Sequence, residues 1–296
     1  MKKMIWGILC TVILLTGCGK GALDSGPMPT DKFLIIAHRG ASAYVPENTL
    51  ESYDLAENLD ADYIELDIHL TKDRELAVMH DKDVAATTEA SGDIDNFTLA
   101  ELKELTANFR DEDKKIATAT VSPDMYNVPI LTEVFSQFGE NMNFIIELKV
   151  PEDYPGIEEK LIEALQDFKL IGVDKDGNPQ AVVQSFDEKG LKRIYEMNPE
   201  IPLLQLISFE EDEKAELSTE QVDELRGYAA GIGVSYEAIT EDFIKDMQKQ
   251  GLAVYAYTVN DTETALKMKK IGANGIHTNR PDILKRNGNK NEGSVE

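Results

Sequence analysis

The sequence predicts a (β/α)8 barrel (TIM barrel) with an inserted segment after the third strand. Short apolar segments alternate with helical segments over about 250 residues, which is the size and pattern of this fold. Polar side chains follow most of the apolar segments, as they do at the carboxyl ends of barrel strands. A doubly wound parallel sheet shares the alternation and is the alternative architecture.

Nine segments have the composition of strands. In chain order they are Phe33–Ala37, Tyr63–Leu70, Leu76–His80, Asn143–Leu148, Ala181–Ser185, Pro202–Leu206, Gly231–Val234, Ala253–Val259 and Gly275–His277. Helical patterns occupy residues 49–60, 156–169, 187–197, 219–227, 241–250 and 261–270. Capping signals support three of these helices, because Asn48, Thr240 and Asn260 stand where N-caps are expected.

One connection does not fit a regular barrel. Only Thr71–Glu75 separate the second and third strands, whereas a parallel crossover needs about a dozen residues. These two strands are therefore expected to form a hairpin, or one of them lies outside the barrel. The tight turn brings His80 back towards Glu65 and Asp67. Residues 82–128 follow as an acidic insertion that contains a helical segment with a Thr98/Glu101 capping box.

The two ends of the chain have the composition of processing and tail segments. Residues 1–17 have the two lysines, apolar run and small residues of a secretory signal peptide. The run Leu15-Thr16-Gly17-Cys18 resembles a lipobox, which predicts lipidation of Cys18 and anchoring at the extracytoplasmic face of the cell membrane. An ordinary cleaved signal is the alternative. Residues 18–31 then form a tether, 32–285 the barrel domain and 286–296 a polar tail.

Charge and cysteine content exclude several functions. The formal net charge of −25 repels nucleic acid and anionic surfaces, so a phosphate-bearing substrate needs a local cation. The two cysteines lie in the predicted leader and at its end, which leaves neither a disulfide nor a catalytic thiol in the folded domain. The chain contains no nucleophile elbow, phosphate loop or dinucleotide fingerprint, which argues against serine hydrolases, kinases and dehydrogenases.

Three carboxylates predict a metal site. Glu65 and Asp67 are two residues apart and share one face of a strand, and Glu147 ends another apolar strand. Buried carboxylates need a partner or a metal. Carboxylates without cysteine suit a hard cation, Ca²⁺ or Mg²⁺, and zinc is disfavoured but stays open because of the histidines.

Two histidines and two cations stand at the same strand ends. His38 and His80 are candidates for an acid–base pair. The guanidinium of Arg39 can bind two phosphate oxygens, and Lys149 offers a second cation or simply a salt bridge to the carboxylates. His69 is open between a residue at the lip of the site and a packing residue.

Seven motifs together resemble the glycerophosphodiester phosphodiesterase family. They are "AHRGASAYVPENTLESY", "IELDIHLTKD", "LAVMHD", "FIIELK", "VVQSF", "YTVN" and "GIHTNRPD", and they occur in the family's order between residues 34 and 284. The resemblance implies a barrel with an insertion after the "MHD" motif and hydrolysis of a glycerophosphodiester to glycerol phosphate and an alcohol. It implies a divalent metal on Glu65, Asp67 and Glu147, acid–base catalysis by His38 and His80, and phosphate binding by Arg39 and Lys149.

The resemblance also assigns supporting residues. It implies that Glu47 is a metal-proximal or site-ordering acid, which Asn48 orients. Tyr257 stands where the family usually has Trp and keeps an aromatic wall. Asn279 stands where an Asp is common, and His69 and the turn at Arg74–Glu75 also depart from the commoner residues.

Two other functions stay open. A related barrel phospholipase, of the phosphatidylinositol-specific phospholipase C or sphingomyelinase D type, would use a similar site, and a lipid-anchored binding protein would capture glycerophosphodiesters without turnover. The predicted location makes glycerol-phosphate polymers of the envelope candidate substrates, but the acidic chain favours small deacylated phospholipid headgroups.

Overall fold

The computed structural model describes residues 28–29, 32–108 and 126–285. The predicted signal peptide, Cys18 and the polar tail lie outside these residues. Within the described ranges, no helix combines the length and apolar composition that crossing a membrane requires.

Parallel strands close into a barrel, which confirms the predicted fold class. The barrel strands are β1 (Leu34–His38), β2 (Tyr63–Leu70), β4 (Asn143–Leu148), β5 (Ala181–Ser185), β6 (Leu203–Ile207), β7 (Gly231–Ser235), β8 (Ala253–Tyr257) and β9 (Gly275–Thr278). Each pairs in parallel with its neighbours, and β1 closes the circle by pairing with both β2 and β9. Closure places all the carboxyl ends of these strands at one rim of the barrel.

One of the nine predicted strands, the third in chain order, lies outside the barrel. This strand, β3 (Leu76–Val78), pairs antiparallel with β2, so that Ile68 lies opposite Val78. The short turn from Thr71 to Glu75 allows this hairpin but no parallel crossover. The expected strand end at His80 is therefore wrong by two residues, and His80 stands in the loop that leaves the hairpin.

Eight α-helices are found among the described residues. They are α1 (Leu50–Asn58), α2 (Leu99–Leu102), α3 (Leu131–Phe138), α4 (Ile157–Asp167), α5 (Glu188–Met197), α6 (Thr219–Leu225), α7 (Glu241–Lys249) and α8 (Thr262–Ile271). Helix α3 was not predicted. It begins after Ile130, which makes no side-chain cap hydrogen bond, and it buries Leu131, Val134, Phe135 and Phe138 on one face.

Two of the three expected N-caps are shifted by one residue. Thr240 caps α7 as predicted. Thr49 caps α1 in place of Asn48, and Asp261 caps α8 in place of Asn260. The side chain of Asn48 instead contacts Asp67, and that of Asn260 contacts the backbone of Asn279.

The interior of the barrel is apolar in the middle of the strands and polar at the rim formed by their carboxyl ends. Side chains two residues apart on a strand share a face, and one face of several strands forms a buried apolar cluster that includes Ile36, Tyr63, Ile145, Val182 and Tyr255. Two residues further along the same strands stand His38, Glu65, Glu147, Gln184 and Tyr257. The strand periodicity therefore delivers five polar or aromatic side chains to one layer at the rim.

The insertion after β3 packs against the barrel through apolar side chains that extend the main core. Val84, Ile94 and Leu102 are fully buried and join the main core cluster. The predicted capping box is present, because Thr98 and Glu101 satisfy each other's backbone N–H groups at the start of α2.

Candidate active site

Three carboxylates meet at the rim. Glu65 and Asp67 lie on β2, and the register of the parallel pair sets Asp67 directly opposite Glu147 of β4. Each residue offers an oxygen that lies within 4.8 Å of the other two. Glu65 and Asp67 are fully buried and Glu147 is nearly so. The structure thus brings together the three acids that the sequence predicts as a group.

Amide groups hold these carboxylates in place. Glu65 accepts hydrogen bonds from the backbone N–H of Arg39 at 2.9 Å and from the side-chain amide of Gln184 at 3.1 Å. The same amide group donates to Glu147 at 3.3 Å, so Gln184 bridges two of the acids. Gln184 belongs to the predicted strand Ala181–Ser185 but is not among the site residues that the sequence predicts.

Asn48 orients Asp67. The amide nitrogen of Asn48 donates to Oδ2 of Asp67 at 3.0 Å, and its oxygen accepts from the hydroxyl of the buried Tyr53 at 2.8 Å. The expected orientation of Glu47 by Asn48 stays a prediction. Asn48 reaches Asp67 from a left-handed backbone with φ of 55°, a conformation that asparagine tolerates better than most residues.

Two cations compensate part of the acidic charge. Lys149 Nζ donates to Glu147 Oε1 at 2.7 Å and lies 3.7 Å from Asp67 Oδ1. The guanidinium of Arg39 donates to both oxygens of Glu47, at 3.0 and 3.1 Å, and its Nε lies 3.6 Å from Asp67. Glu47 therefore contacts the cluster through Arg39. The salt bridge from Lys149 to the carboxylates, which was one of its two expected functions, is present.

The electrostatic balance of the cluster favours an added cation. Burial, together with the charges of Asp67 and Glu147, raises the pKa of Glu65 well above its usual range. Burial and Asp67 likewise raise the pKa of Glu147, against the opposing charge of Lys149. Burial alone would raise the pKa of Asp67, but Lys149 and Arg39 lower it below its usual range.

The donor set fits a hard divalent cation. Four carboxylates, including Glu47, face two fixed cations, so the fully ionised site would have two more negative charges than positive ones. Oδ1 of Asp67 is buried and accepts no hydrogen bond from the described residues, a costly arrangement for a polar atom. Carboxylate oxygens are the ligands that Ca²⁺ and Mg²⁺ prefer.

Three histidines, His38, His80 and His277, line one cavity beside the carboxylates. The cavity has a volume of about 190 Å³, and its lining includes His38, Arg39, His80, Glu147, Lys149 and Tyr257, all of which the sequence predicts as site residues. His38 is held by a 2.7 Å hydrogen bond between its Nδ1 and Oδ1 of Asn279. Burial and the charge of Arg39 lower the pKa of His38 well below its usual value, so the ring is neutral at pH 7.

The loop after β1 is shaped by a glycine and by hydrogen bonds to its backbone. Arg39 has a left-handed φ of 58° and Gly40 follows with φ of 83°. A Cβ atom on Gly40 would lie 2.0 Å from the hydroxyl of Ser52, so no larger residue fits there. The hydroxyl of Ser52 donates to the carbonyl of Arg39 at 2.8 Å, and Asn48 N–H donates to the same carbonyl at 3.0 Å. These contacts hold the guanidinium over the site.

His80 is positioned from behind by His69. Nε2 of His69 lies 3.1 Å from the carbonyl oxygen of His80, and its Nδ1 lies 3.1 Å from the hydroxyl of Tyr154. His69 is buried, so the structure favours the packing interpretation over a lip residue. The side chain of His80 itself is 27% exposed and contacts Asp81, with Nδ1 and Oδ1 3.3 Å apart.

The far wall of the cavity is apolar and aromatic. The rings of Phe186 and Tyr257 meet edge to face with centroids 6.0 Å apart, and the hydroxyl of Tyr257 donates to the carbonyl of Ile207 at 2.9 Å. Five lining residues were not selected from the sequence: Gln184, Phe186, Leu206, Thr258 and His277. Each stands at or beside a strand end, which was the available signal.

Comparison with known proteins gives a consistent result. The model of the glycerophosphoryl diester phosphodiesterase family matches residues 38–283. A glycerophosphodiester phosphodiesterase of Bacillus subtilis (strain 168) is 38% identical over 255 residues, covering 86% of each chain. A protein of the same name from Caldanaerobacter subterraneus is 32% identical and covers 86% of this chain and 96% of its own.

Solved structures share the fold. A structure from Silicibacter pomeroyi superimposes with a TM-score of 0.73 at 21% identity, covering 88% of this chain and 94% of that one. A phosphodiesterase of Oleispira antarctica, solved in complex with the product sn-glycerol-3-phosphate, has a TM-score of 0.67 at 29% identity and covers 84% and 93% of the two chains.

The family match runs from the end of β1 to a point beyond β9, and the relatives agree with the resemblance that the seven motifs indicate. The chain therefore belongs to an enzyme family, the glycerophosphoryl diester phosphodiesterase family.

Proposed function

We propose that the protein hydrolyses glycerophosphodiesters to glycerol 3-phosphate and an alcohol, with a divalent cation on Glu65, Asp67 and Glu147. The observation that carries this proposal is a cluster of three buried carboxylates, one of which, Glu147, lines the same cavity as His38 and His80. The product bound to the Oleispira antarctica relative supports the same reaction.

The chain offers a cationic site for the phosphodiester. Arg39 and Lys149 line the cavity next to the carboxylates, and Glu47 fixes the guanidinium of Arg39. A guanidinium contacts two phosphate oxygens at once, which orients the phosphorus atom. A cation bound by the three carboxylates would draw negative charge from the phosphoryl oxygens and favour deprotonation of a nearby hydroxyl or water. The acidic protein surface makes this local positive charge necessary.

His38 and His80 supply proton transfer in this proposal. One imidazole takes the proton of the nucleophile, which is either water or a glycerol hydroxyl, and the other gives a proton to the alcohol as the P–O bond breaks. The leaving alkoxide is strongly basic, so its protonation lowers the barrier. The two rings line the same cavity, which allows both transfers at one bound phosphorus.

The alcohol part of the substrate fits the aromatic wall. Phe186 is 49% exposed although it is apolar, and it stands with Tyr257 on the cavity lining. A small alcohol that covers these rings would remove apolar surface from water and so gain binding free energy. Small deacylated phospholipid headgroups match this cavity better than a long polyanion, which the acidic surface would repel. Glycerol-phosphate polymers are the competing substrate class.

We further propose that Cys18 carries a lipid anchor that holds the enzyme at the extracytoplasmic face of the membrane. The support is the sequence alone, a signal-like segment ending in Leu-Thr-Gly-Cys. Cells expressing Cys18→Ala should release the protein from the membrane fraction. Membrane retention of that variant would contradict the anchor.

Product analysis tests the proposed reaction. Purified protein is incubated with glycerophosphocholine, glycerophosphoethanolamine, glycerophosphoglycerol and a glycerol-phosphate polymer, first with chelator and then with Ca²⁺, Mg²⁺ or Mn²⁺ restored. Release of glycerol 3-phosphate that chelator stops and one metal restores supports the proposal. A cyclic phosphate as the final product indicates the phospholipase chemistry. Tight binding without turnover indicates a binding protein, and His38→Ala with wild-type turnover would contradict the acid–base assignment.

A further inference from the structure

We propose that Asn279 is a positioning residue that fixes the ring of His38 in one tautomer and so makes His38 the base of the acid–base pair. This inference rests on the proposed function and deepens it. It starts from the 2.7 Å contact between Nδ1 of His38 and Oδ1 of Asn279. The two residues are 241 positions apart in the chain and meet because β1 and β9 close the barrel.

Hydrogen bonds to its N–H and carbonyl groups hold the backbone of Asn279 on both sides of the side chain. Its backbone N–H donates to the side-chain oxygen of Asn260 at 2.9 Å, and its carbonyl accepts from the N–H of Ala43 at 3.0 Å. Three loops of the rim, which follow β1, β8 and β9, are therefore joined at this residue. The side chain of Asn260 therefore holds Asn279 and does not cap α8. Asp261 is the N-cap of that helix.

The chemistry of the amide oxygen decides the tautomer. An amide oxygen only accepts hydrogen bonds, so Nδ1 of His38 must donate, and the neutral ring then has its lone pair on Nε2. A nitrogen with a free lone pair accepts a proton, which is the function of a general base. The ring of His277 stands nearly perpendicular to that of His38, at 79° and 6.5 Å between centroids.

A neutral partner suits this position. The site already contains more carboxylates than cations, and a further negative charge next to His38 would add to that excess. The amide orients the ring without adding charge. The important property of residue 279 is thus its hydrogen-bond acceptor, which aspartate would also provide and leucine would not.

The experiment compares Asn279→Leu and Asn279→Asp in the full chain. We expect Asn279→Leu to lower kcat about 100-fold with little change in KM, because the base contributes roughly 10²–10⁴-fold to such reactions. Asn279→Asp keeps the acceptor and should stay within about tenfold of wild-type kcat on the same scale. In ¹⁵N-histidine NMR spectra without substrate, the Nδ1–H tautomer of His38 should be present in wild type and lost in Asn279→Leu.

Asn274→Leu is the matched control. Asn274 precedes the same strand at its other end, where its oxygen accepts from the N–H of Val254 at 2.9 Å. We expect this variant to unfold at a lower temperature yet keep wild-type kcat and the His38 NMR signals. Wild-type kcat in Asn279→Leu, or an Nε2–H tautomer in wild type, would overturn the inference. A wild-type protein that hydrolyses no glycerophosphodiester would instead overturn the proposed function.

Discussion

Replacing Glu65 with glutamine removes one negative charge from the three-carboxylate cluster while nearly preserving its shape. Glu65 is fully buried, and its charged form is disfavoured by burial and by Asp67 and Glu147. The new amide oxygen can still accept from the N–H of Arg39. The new NH₂ group takes the place of the oxygen that accepts from Gln184. It can donate to the side-chain oxygen of Gln184 only if that amide turns over and gives up its hydrogen bond to Glu147.

The substitution should therefore have opposite effects with and without metal. In chelator, Glu65→Gln should be at least as stable as wild type, because it relieves crowding of like charges. With metal at 100 times its Kd, wild type gains about 2.7 kcal/mol of unfolding free energy. At about 2–4 °C per kcal/mol for a chain of this size, that gain is a rise in Tm of roughly 5–11 °C. The variant should lose most of this rise because one of three charged ligands is gone.

Thermal unfolding by circular dichroism, with chelator and with Ca²⁺ or Mg²⁺, measures both effects, and turnover is followed in parallel. Glu158→Gln is the matched control, since Glu158 is buried but lies outside the cluster and accepts from Arg193 at 2.7 Å. That control should lose about 1–3 kcal/mol of stability in both conditions and keep the metal response and the turnover of wild type.

Two results would refute this reasoning. An unchanged metal-dependent rise in Tm in Glu65→Gln would show that the cation binds elsewhere. A lower Tm than wild type in chelator would show that like-charge crowding does not dominate at Glu65, and that the hydrogen bonds to its carboxylate matter more.

Two further predictions concern histidines. His80→Ala should lower kcat about 10²–10⁴-fold while keeping the metal-dependent rise in Tm; wild-type turnover would contradict its role in proton transfer. His277 has its pKa lowered to about 4 by burial, against about 6.5 in the unfolded chain. Below pH 6.5 the unfolded state therefore binds a proton that the folded state does not, and stability falls as the pH drops towards 4. Between pH 7 and pH 4, the free energy of unfolding of wild type should therefore fall by about 3 kcal/mol more than that of His277→Leu, as measured by urea titrations at each pH. Equal falls in the two proteins would contradict a buried neutral ring at His277.

The alternation of apolar and helical segments, together with the lengths of the loops, was sufficient to predict the barrel and the hairpin that departs from it. Continuous apolar segments predicted the strands, because burial inside a parallel sheet demands apolar residues on both faces. Helical periodicity predicted the helices between them. The short link from Thr71 to Glu75 excluded a parallel crossover and predicted the hairpin, which is confirmed. Helix α3 had an available signal in the spacing of Leu131, Val134 and Phe138, but no polar cap marks its start.

Side-chain pairings across the rim could not be predicted in the same way. Asn48 and Thr49 are both good N-cap residues, and only the position of Asp67 in the folded barrel determines which of them caps α1. The contact between His38 and Asn279 likewise depends on barrel closure, which brings together residues from the two ends of the domain. The carboxylate group was predictable because its members repeat a two-residue strand spacing next to apolar neighbours.

The most direct test of the account is a metal titration of chelator-treated protein in which bound metal and glycerol 3-phosphate release are measured on the same samples. The account predicts that both rise together and saturate at about one divalent cation per chain, as expected for one carboxylate cluster that serves the reaction. Full turnover in samples that contain no bound metal would contradict the central claim that this cluster holds the cation required for hydrolysis.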